Sequence, residues 1–325
     1  MNNLSLRQLR YFQALARENH FRRAAEACAV TQPALSMQIR ELEDALGVVL
    51  IERGGRQARL TKFGEEAATR INQILHAVDE LGNLARASRG RLAGQFRVGM
   101  IPTIAPYLLP ALIAGLARTH PAVNIHMREA ITSRLIQELS EGRLDAAILA
   151  LPVSEPSLTE IALFAENFLL VRPAAEENSP VPSRDKLHEM KLLLLEEGHC
   201  FRDQALSFCK MPTGRPREAL DASSLSTLVQ MVSAGLGVTV IPEMALSLET
   251  RSAAVSVVRF RDPQPSRRVG MVWRKASPLA GQLLQLSEVV NRSAALLREK
   301  QNARPALSAP AETPSPRKRK RATRR

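Results

Sequence analysis

The sequence predicts an α/β protein with a separate helical domain at its N-terminus. Apolar residues recur at helical spacing through residues 1–60, and residues 61–90 continue as one long amphipathic helix. Short strand-like runs then alternate with helices through residues 91–300, a pattern typical of α/β domains with mostly parallel strands. With 325 residues, 45% of them hydrophobic, the chain is long enough for two or three packed domains.

The first 60 residues predict a winged helix-turn-helix. Ser5 and Gln8 have the spacing of a capping box at the start of the first helix. A second, short helix begins near Phe21, and Thr31 caps a third helix after a tight link. Two short helices joined by a turn of about three to four residues fit a helix-turn-helix.

The third helix and the loop after it predict a surface for DNA. A recognition helix enters the major groove with its N-terminal residues, and here those residues lie outside the apolar stripe or at its edge. The basic loop ERGGRQAR at 52–59 turns at a Gly-Gly pair and suits a wing along the DNA backbone. The candidate DNA-binding residues are Gln32, Pro33, Ser36, Arg40, Arg53 and Arg56. A three-helix bundle with a solvated basic loop is the alternative interpretation.

The long helix at 61–90 predicts a dimer. Its apolar residues are spaced by 4, 3, 4, 3 and 4 positions, the pattern of a helix pair. They are Ala67, Ile71, Ile74, Val78, Leu81 and Ala85. A dimer would place two recognition helices on two half-sites. The alternative is that this stripe packs against its own chain.

Residues 91–300 predict two subdomains with a cleft between them. The strand-like runs are 95–101, 124–129, 145–151, 191–196, 237–242 and 268–273. The helices lie at about 107–119, 133–141, 202–210 and 224–234, with a last one from Pro278. The chain leaves the first subdomain near residue 164 and returns near residue 267. Such a cleft is a natural place for an effector.

The charge and the cysteine content of the sequence indicate which classes of protein it can belong to. The net charge is +13, and RKRKRATRR at 317–325 carries seven basic residues and no acid. We expect a disordered tail at 301–325 that either adds salt-sensitive attraction to nucleic acid or has no task. Three cysteines are too few for a disulfide framework, so a reduced, cytoplasmic protein is expected. No zinc spacing, phosphate loop or membrane-spanning run occurs, so we expect no metal, no cofactor and no membrane.

Two of the cysteines lie in GHCFRDQALSFC at 198–209. If FRDQALSFCK is helical, Cys200 lies just before the helix, where the backbone N–H groups and Arg202 favour a thiolate, and Asp203 holds Arg202 or His199. Cys209 then lies about 13.5 Å further along the axis, whereas a disulfide needs Cα atoms within about 7 Å. A bond between them must therefore unwind the helix, as a redox trigger requires. Two buried, inert thiols are the alternative.

The N-terminal segment FRRAAEACAVTQPALSMQIRELEDALGVVLIER at 21–53 resembles the DNA-binding domain of LysR-type transcriptional regulators. The likeness extends to about residue 300. It implies a winged helix-turn-helix, a linker-helix dimer, usually a tetramer, and a two-lobed regulatory domain like periplasmic binding proteins. It also implies promoter DNA and RNA polymerase as partners.

Three later segments resemble one branch of that family, the hydrogen-peroxide-sensing OxyR regulators. They are GMIPTIAPYLLP at 99–110, LEEGHCFRDQALSFC at 195–209 and SSLSTLVQMVSAGLGVTVIP at 223–242. The resemblance implies that Cys200 reacts with peroxide, that Cys209 resolves the product, and that a cellular thiol reductant restores both. It places Thr103, Thr132, His199, Asp203 and either Arg267 or Arg268 where the family holds peroxide or tunes the thiol.

The leading hypothesis is therefore a nucleoid-associated transcription factor, not an enzyme, which hydrogen peroxide activates through a Cys200–Cys209 disulfide. One alternative is a metabolite-responsive regulator of the same family with bystander cysteines. The other is a thiol peroxidase, against which stands the lack of a CxxC motif.

Overall fold

The computed structural model describes residues 4–52, 58–87, 91–183, 186–209 and 221–302. Two candidate DNA-binding residues, Arg53 and Arg56, lie outside the described residues, as does the basic tail from residue 303. Within the described ranges, no helix combines the length and the hydropathy needed to cross a membrane.

The N-terminal domain is built from helices α1 (Leu6–Glu18), α2 (Phe21–Ala27) and α3 (Gln32–Leu46). The capping box is present, since Ser5 and Gln8 exchange side-chain-to-backbone hydrogen bonds of 2.9 and 3.2 Å. The Thr31 side chain accepts from the Ala34 N–H at the start of α3. An antiparallel bridge between Ile51 and Leu60 closes the base of the predicted wing. The predicted helix-turn-helix is confirmed in these elements.

Helix α4 (Lys62–Ala87) has two apolar faces with different surroundings. Ile71 and Leu75, each 5% exposed, pack into the core of the N-terminal domain. Ile74 and Leu81 are 47% and 69% exposed. The predicted heptad stripe is therefore divided: Ile71 packs against its own chain, and Ile74 and Leu81 are exposed.

The regulatory domain is organised around one sheet in the order β2-β1-β3-β9-β4-β7, with β8 also paired to β4. Its strands are β1 (Gly94–Met100), β2 (Val123–Glu129), β3 (Ala146–Leu151), β4 (Leu158–Pro173), β7 (Thr239–Pro242), β8 (Val255–Arg259) and β9 (Ser266–Arg274), and a separate parallel pair joins β5 (Leu194–Leu195) to β6 (Asp221–Ala222). The helices are α5 (Ala105–Thr119), α6 (Thr132–Ser140), α7 (Cys200–Phe208), α8 (Leu225–Ser233), α9 (Leu246–Glu249) and α10 (Ala280–Asn302).

The expectation of mostly parallel strands is wrong for this sheet. Only β1 runs parallel to its neighbours β2 and β3, whereas β4 and β9 pair antiparallel with every partner. Strand β4 was not predicted, because Glu160, Glu166 and Asn167 interrupt its apolar run and a bulge shifts its register after Ala162. Its first half pairs with β9 and its second half with β7 and β8, so β4 joins the two lobes.

Candidate functional site

The loop before α7 brings the two lobes of the regulatory domain together. Gly198 has a φ of +92°, a conformation that favours glycine, and it turns the chain into α7. A Cβ at this position would lie 3.1 Å from the Cδ1 atom of Ile131. Ile131 precedes α6 of the other lobe, so the His199–Cys200 turn lies beside the N-terminus of α6. The two subdomains predicted from the sequence approach each other at this contact, and the effector cleft between them stays a prediction.

The two cysteines occupy opposite ends of α7. Cys200 is the first residue of the helix and is half-buried, whereas Cys209 is its C-cap and is fully buried. A negative charge on the sulfur of Cys200 would be favoured by the N–H groups at this end of the helix. The intact helix keeps the two residues about 13.5 Å apart along its axis, too far for a disulfide. The structure is thus that of a reduced pair.

Two buried polar atoms on α6 and α7 have no hydrogen-bond partner among the described residues. One is the hydroxyl oxygen of Thr132, the first residue of α6, and the other is the side-chain carbonyl oxygen of Gln204 in α7. Buried polar atoms are almost always hydrogen-bonded, so each of the two is a candidate contact for a small polar ligand. Gln204 was not among the expected site residues; its only signal was its position one residue after Asp203 in the motif.

Arg267 forms a buried network with the strand end at Thr103. Its Nη1 and Nη2 atoms donate to the hydroxyl and carbonyl oxygens of Thr103 at 2.7 and 2.9 Å. Its Nε atom donates to Glu166 Oε1 at 2.7 Å, so its charge is paired. Its guanidinium carbon also lies 5.5 Å from the ring centroid of Phe201, directly after Cys200. Arg268 is exposed, so Arg267 is the arginine beside Thr103.

The sequence analysis did not predict Glu166 as a site residue because it did not predict strand β4. The carboxylate is buried, and besides Arg267 it accepts the N–H of Met244 through Oε2 at 3.2 Å. A buried charge is tolerated when it is paired and hydrogen-bonded, as here. Met244 of the second lobe thus holds Glu166, Glu166 holds Arg267, and Arg267 orients the Thr103 hydroxyl of the first lobe.

The expected pairing of Arg202 with Asp203 is wrong. Arg202 is buried and donates to the carbonyl oxygen of Leu195 at 2.7 Å, and its ion pair of 2.8 Å is with Asp221. Asp203 is exposed and makes no hydrogen bond or ion pair with the part of the chain that the structure describes. Arg202 therefore fastens α7 to β5 and β6.

His199 is held as a neutral imidazole. It is the N-cap residue of α7, and burial lowers the pKa of its side chain, an effect that the nearby Glu196 carboxylate partly opposes. A neutral imidazole offers one nitrogen as donor and the other as acceptor. At the entrance of the site it can therefore assist proton transfer in either direction.

The predicted DNA surface is open on α3. Gln32, Pro33 and Arg40 are exposed and Ser36 is half-buried, on the side of the helix opposite its buried apolar residues. Glu43, one of the acids in the second half of α3, is instead buried. Its Oε1 atom accepts the N–H groups of Leu50 and Ile51 at 2.7 and 3.1 Å and so orders the start of the wing.

The described segments contain no cluster of three or more histidine, cysteine or acidic side chains that could hold a metal ion. The chemistry of the site is that of a thiol at a helix N-terminus, a neutral imidazole and two threonine hydroxyls.

Comparison with known proteins identifies the family of this chain and relatives that are similar along most of its length. Residues 6–65 match the family model of bacterial regulatory helix-turn-helix proteins, lysR family, and residues 89–295 match the LysR substrate binding domain. The DNA-binding transcriptional dual regulator OxyR of Escherichia coli K12 is 40% identical over 293 residues, covering 88% of this chain and 95% of that protein. A probable hydrogen peroxide-inducible genes activator of Streptomyces viridosporus is 41% identical, covering 89% and 94%.

Solved structures of full-length relatives share the fold. A cysteine variant of OxyR from Pseudomonas aeruginosa superposes with a TM-score of 0.68 at 37% identity, covering 89% of this chain and 98% of that one. A hydrogen-peroxide-bound cysteine variant of Corynebacterium glutamicum OxyR has a TM-score of 0.65 at 32% identity, covering 92% and 95%.

Proposed function

Because the chain belongs to the LysR family of DNA-binding transcriptional regulators, in its OxyR branch, and is not an enzyme, we propose that hydrogen peroxide switches it through a reversible Cys200–Cys209 disulfide. The observation that carries the proposal is the placement of one thiol at each end of α7. The end at Cys200 faces the polar contact between the lobes, and the other end is in the core.

The first step is attack of the Cys200 thiolate on one peroxide oxygen. The O–O bond breaks, the sulfur is oxidised to a sulfenic acid, and the departing hydroxide takes a proton to become water. The Thr132 hydroxyl, which has no partner among the described residues, is placed to hydrogen-bond the peroxide. Neutral His199 at the same turn can pass the proton.

Thr103 and Arg267 serve this step by holding the peroxide in place. Thr103 accepts a hydrogen bond from Arg267, so its own hydroxyl proton is free to be donated to a peroxide oxygen. Three N–H groups of Arg267 are already hydrogen-bonded, and Glu166 pairs its charge. We therefore assign Arg267 mainly to orienting Thr103, and Arg202 to anchoring α7 rather than to tuning the thiol. Asp203 keeps no role in the reduced form.

The second step joins the two cysteines. The Cys209 sulfur attacks the sulfenic sulfur, a disulfide forms, and a second water leaves, so that two thiols and one peroxide give one disulfide and two waters. Unwinding α7 exposes the buried side chains of Phe201 and Leu206. Burial of each of them stabilises the folded state by about 1.5–3 kcal/mol. The segment must therefore repack, and a cellular thiol reductant would return it to the helical form.

The refolded segment changes how regulatory domains pack and, through them, which DNA half-sites are contacted. We assign DNA binding to residues 1–60, dimerisation to 61–90 and redox sensing to 91–300, with the tail at 301–325 assisting non-specific contact. The exposed Ile74 and Leu81 of α4 support a dimer, which would assemble into a tetramer on promoter DNA. RNA polymerase is the expected partner there, and the nucleoid of the cytoplasm the expected location.

The test is mass spectrometry of the purified protein after one equivalent of hydrogen peroxide, with alkylation before digestion. We expect a linkage between the Cys200 and Cys209 peptides that is absent before treatment. Thiols at both positions after treatment would contradict the proposal and would point to a small-metabolite effector in the cleft.

A further inference from the structure

A second buried carboxylate, Glu249, joins the two lobes away from the cysteines. The Tyr107 hydroxyl donates to Glu249 Oε1 at 2.6 Å, and the Ser226 hydroxyl donates to Glu249 Oε2 at 2.6 Å. Tyr107 belongs to α5 of the first lobe, whereas Ser226 and Glu249 belong to α8 and α9 of the second. Burial and the bond to Glu249 raise the pKa of Tyr107 far above its ordinary value, so it stays a donor.

The Ser226 side of this bridge leads toward the redox segment, which is α7 (Cys200–Phe208) with its C-cap Cys209. Strand β6, at Asp221–Ala222, is the next described element after that segment, and Ser224 caps α8 two residues later by accepting the Thr227 N–H. Asp221 holds Arg202 of α7 through the 2.8 Å ion pair. Unwinding α7 removes the helix that carries Arg202 and so releases β6 and the start of α8.

The first turn of α7 also reaches the first lobe by a second route. Phe201, next to Cys200, lies under Arg267, and Arg267 holds Thr103. Thr103 and Tyr107 are four residues apart at the beginning of α5. Glu166 closes the ring, because it pairs with Arg267 and accepts the N–H of Met244, shortly before α9. The start of α7 is therefore connected to residues 103–107 by two routes, one through Phe201 and one through Arg202.

We propose that Glu249 is an output latch: through its hydrogen bonds with Ser226 and Tyr107, it transmits the refolding of the redox segment to α5. The inference rests on the proposed redox switch. The latch residues lie on α5, α8 and α9, whereas the two cysteines lie at the ends of α7. Helix α5 packs against α10, and its Ile113 side chain is exposed, so a shift of α5 alters a surface that another copy of the chain could contact.

The experiment removes single hydroxyls from the latch in the full-length protein. Tyr107→Phe and Ser226→Ala each delete one donor to Glu249 and leave the packed ring or the helix in place. Tyr11→Phe is the matched control, since Tyr11 is a buried tyrosine whose hydroxyl accepts one hydrogen bond, from Arg7, in the other domain. For each protein, the Cys200–Cys209 linkage is mapped, and the affinity for a promoter fragment is measured before and after peroxide.

We expect the disulfide in every variant. The ratio of oxidised to reduced affinity should be that of the wild type in Tyr11→Phe and should shrink about fivefold or more in both latch variants, the lower range of allosteric couplings. An unchanged ratio in both latch variants would overturn the latch but leave the switch. Failure of the latch variants alone to form the disulfide would also overturn it, by placing Glu249 in the chemistry. A wild type without the disulfide would overturn the switch and the latch together.

Discussion

The two ends of α7 differ in what surrounds their thiols. Cys200 is half-buried and follows His199 in the turn that approaches the start of α6 at Ile131. Cys209 is fully buried in the apolar core of the regulatory domain. In the proposed switch, the oxidant would therefore react with the first thiol while the helix is intact, and the second thiol would become available only when the helix opens. The difference would separate detection of the oxidant from the conformational change.

The largest expected effect comes from replacing each cysteine in turn. Cys200→Ser should lose all peroxide-dependent change, because no thiol remains at the polar end. Cys209→Ser should still oxidise at Cys200 but accumulate sulfenic or over-oxidised forms, since no partner can resolve them. Alkylation with mass spectrometry distinguishes these states, and Cys28→Ser, a change in the N-terminal domain, is the control. A normal, stable disulfide in Cys209→Ser would refute the pairing.

The buried network behind Cys200 should matter for stability as well. Arg267→Gln leaves the Glu166 carboxylate buried without its partner, which should lower the free energy of unfolding by about 3–5 kcal/mol. Arg268→Gln is the matched control, because Arg268 is the exposed neighbour, and a surface change stays within about 0.5 kcal/mol. Urea unfolding, followed by the fluorescence of the single tryptophan, Trp273 on β9, measures the free energy of unfolding of both variants. Equal losses would mean that Arg267 carries no buried charge pair.

A smaller effect is expected when the Thr103 hydroxyl alone is removed. Thr103→Val keeps the shape of the side chain but takes away the group that Arg267 orients toward the site. The rate of Cys200 oxidation should fall about 100-fold, the usual loss for one positioned donor. Thr119→Val is the control, since that hydroxyl bonds only at the end of α5, to the Gly115 carbonyl and the neighbouring His120 ring. Stopped-flow kinetics with peroxide should leave Thr119→Val at the wild-type rate; an unaltered Thr103→Val would exclude peroxide contact there.

The sequence predicted best where local pattern decides the structure. The capping box at Ser5, the end of α3 at Gly47 and the position of Cys200 at a helix start all follow from neighbouring residues. The partners of the buried charges did not follow. Arg267 lies 101 residues from Glu166 and 164 from Thr103, and Arg202 pairs with Asp221 rather than with adjacent Asp203. The Arg267–Glu166 pair joins the antiparallel strands β9 and β4, and β4 was not predicted because polar residues interrupt its apolar run. The Arg202–Asp221 pair joins α7 to β6, which is distant in sequence.

The smallest effect concerns the pH dependence of stability at the Cys200 end. His199 has its pKa lowered from 6.5 by burial, so the unfolded chain binds a proton more readily than the folded one. The stabilising contribution is fully present above about pH 6.5 and is lost as the pH falls below it. Urea unfolding at pH 7.5 and 5.5 should therefore show a smaller drop for His199→Asn than for the wild type. His126→Gln, on the edge strand β2, should behave like the wild type. If His199→Asn lost as much stability as the wild type over this range, the imidazole would not be desolvated, and its assignment as a neutral proton carrier beside Cys200 would fail with it.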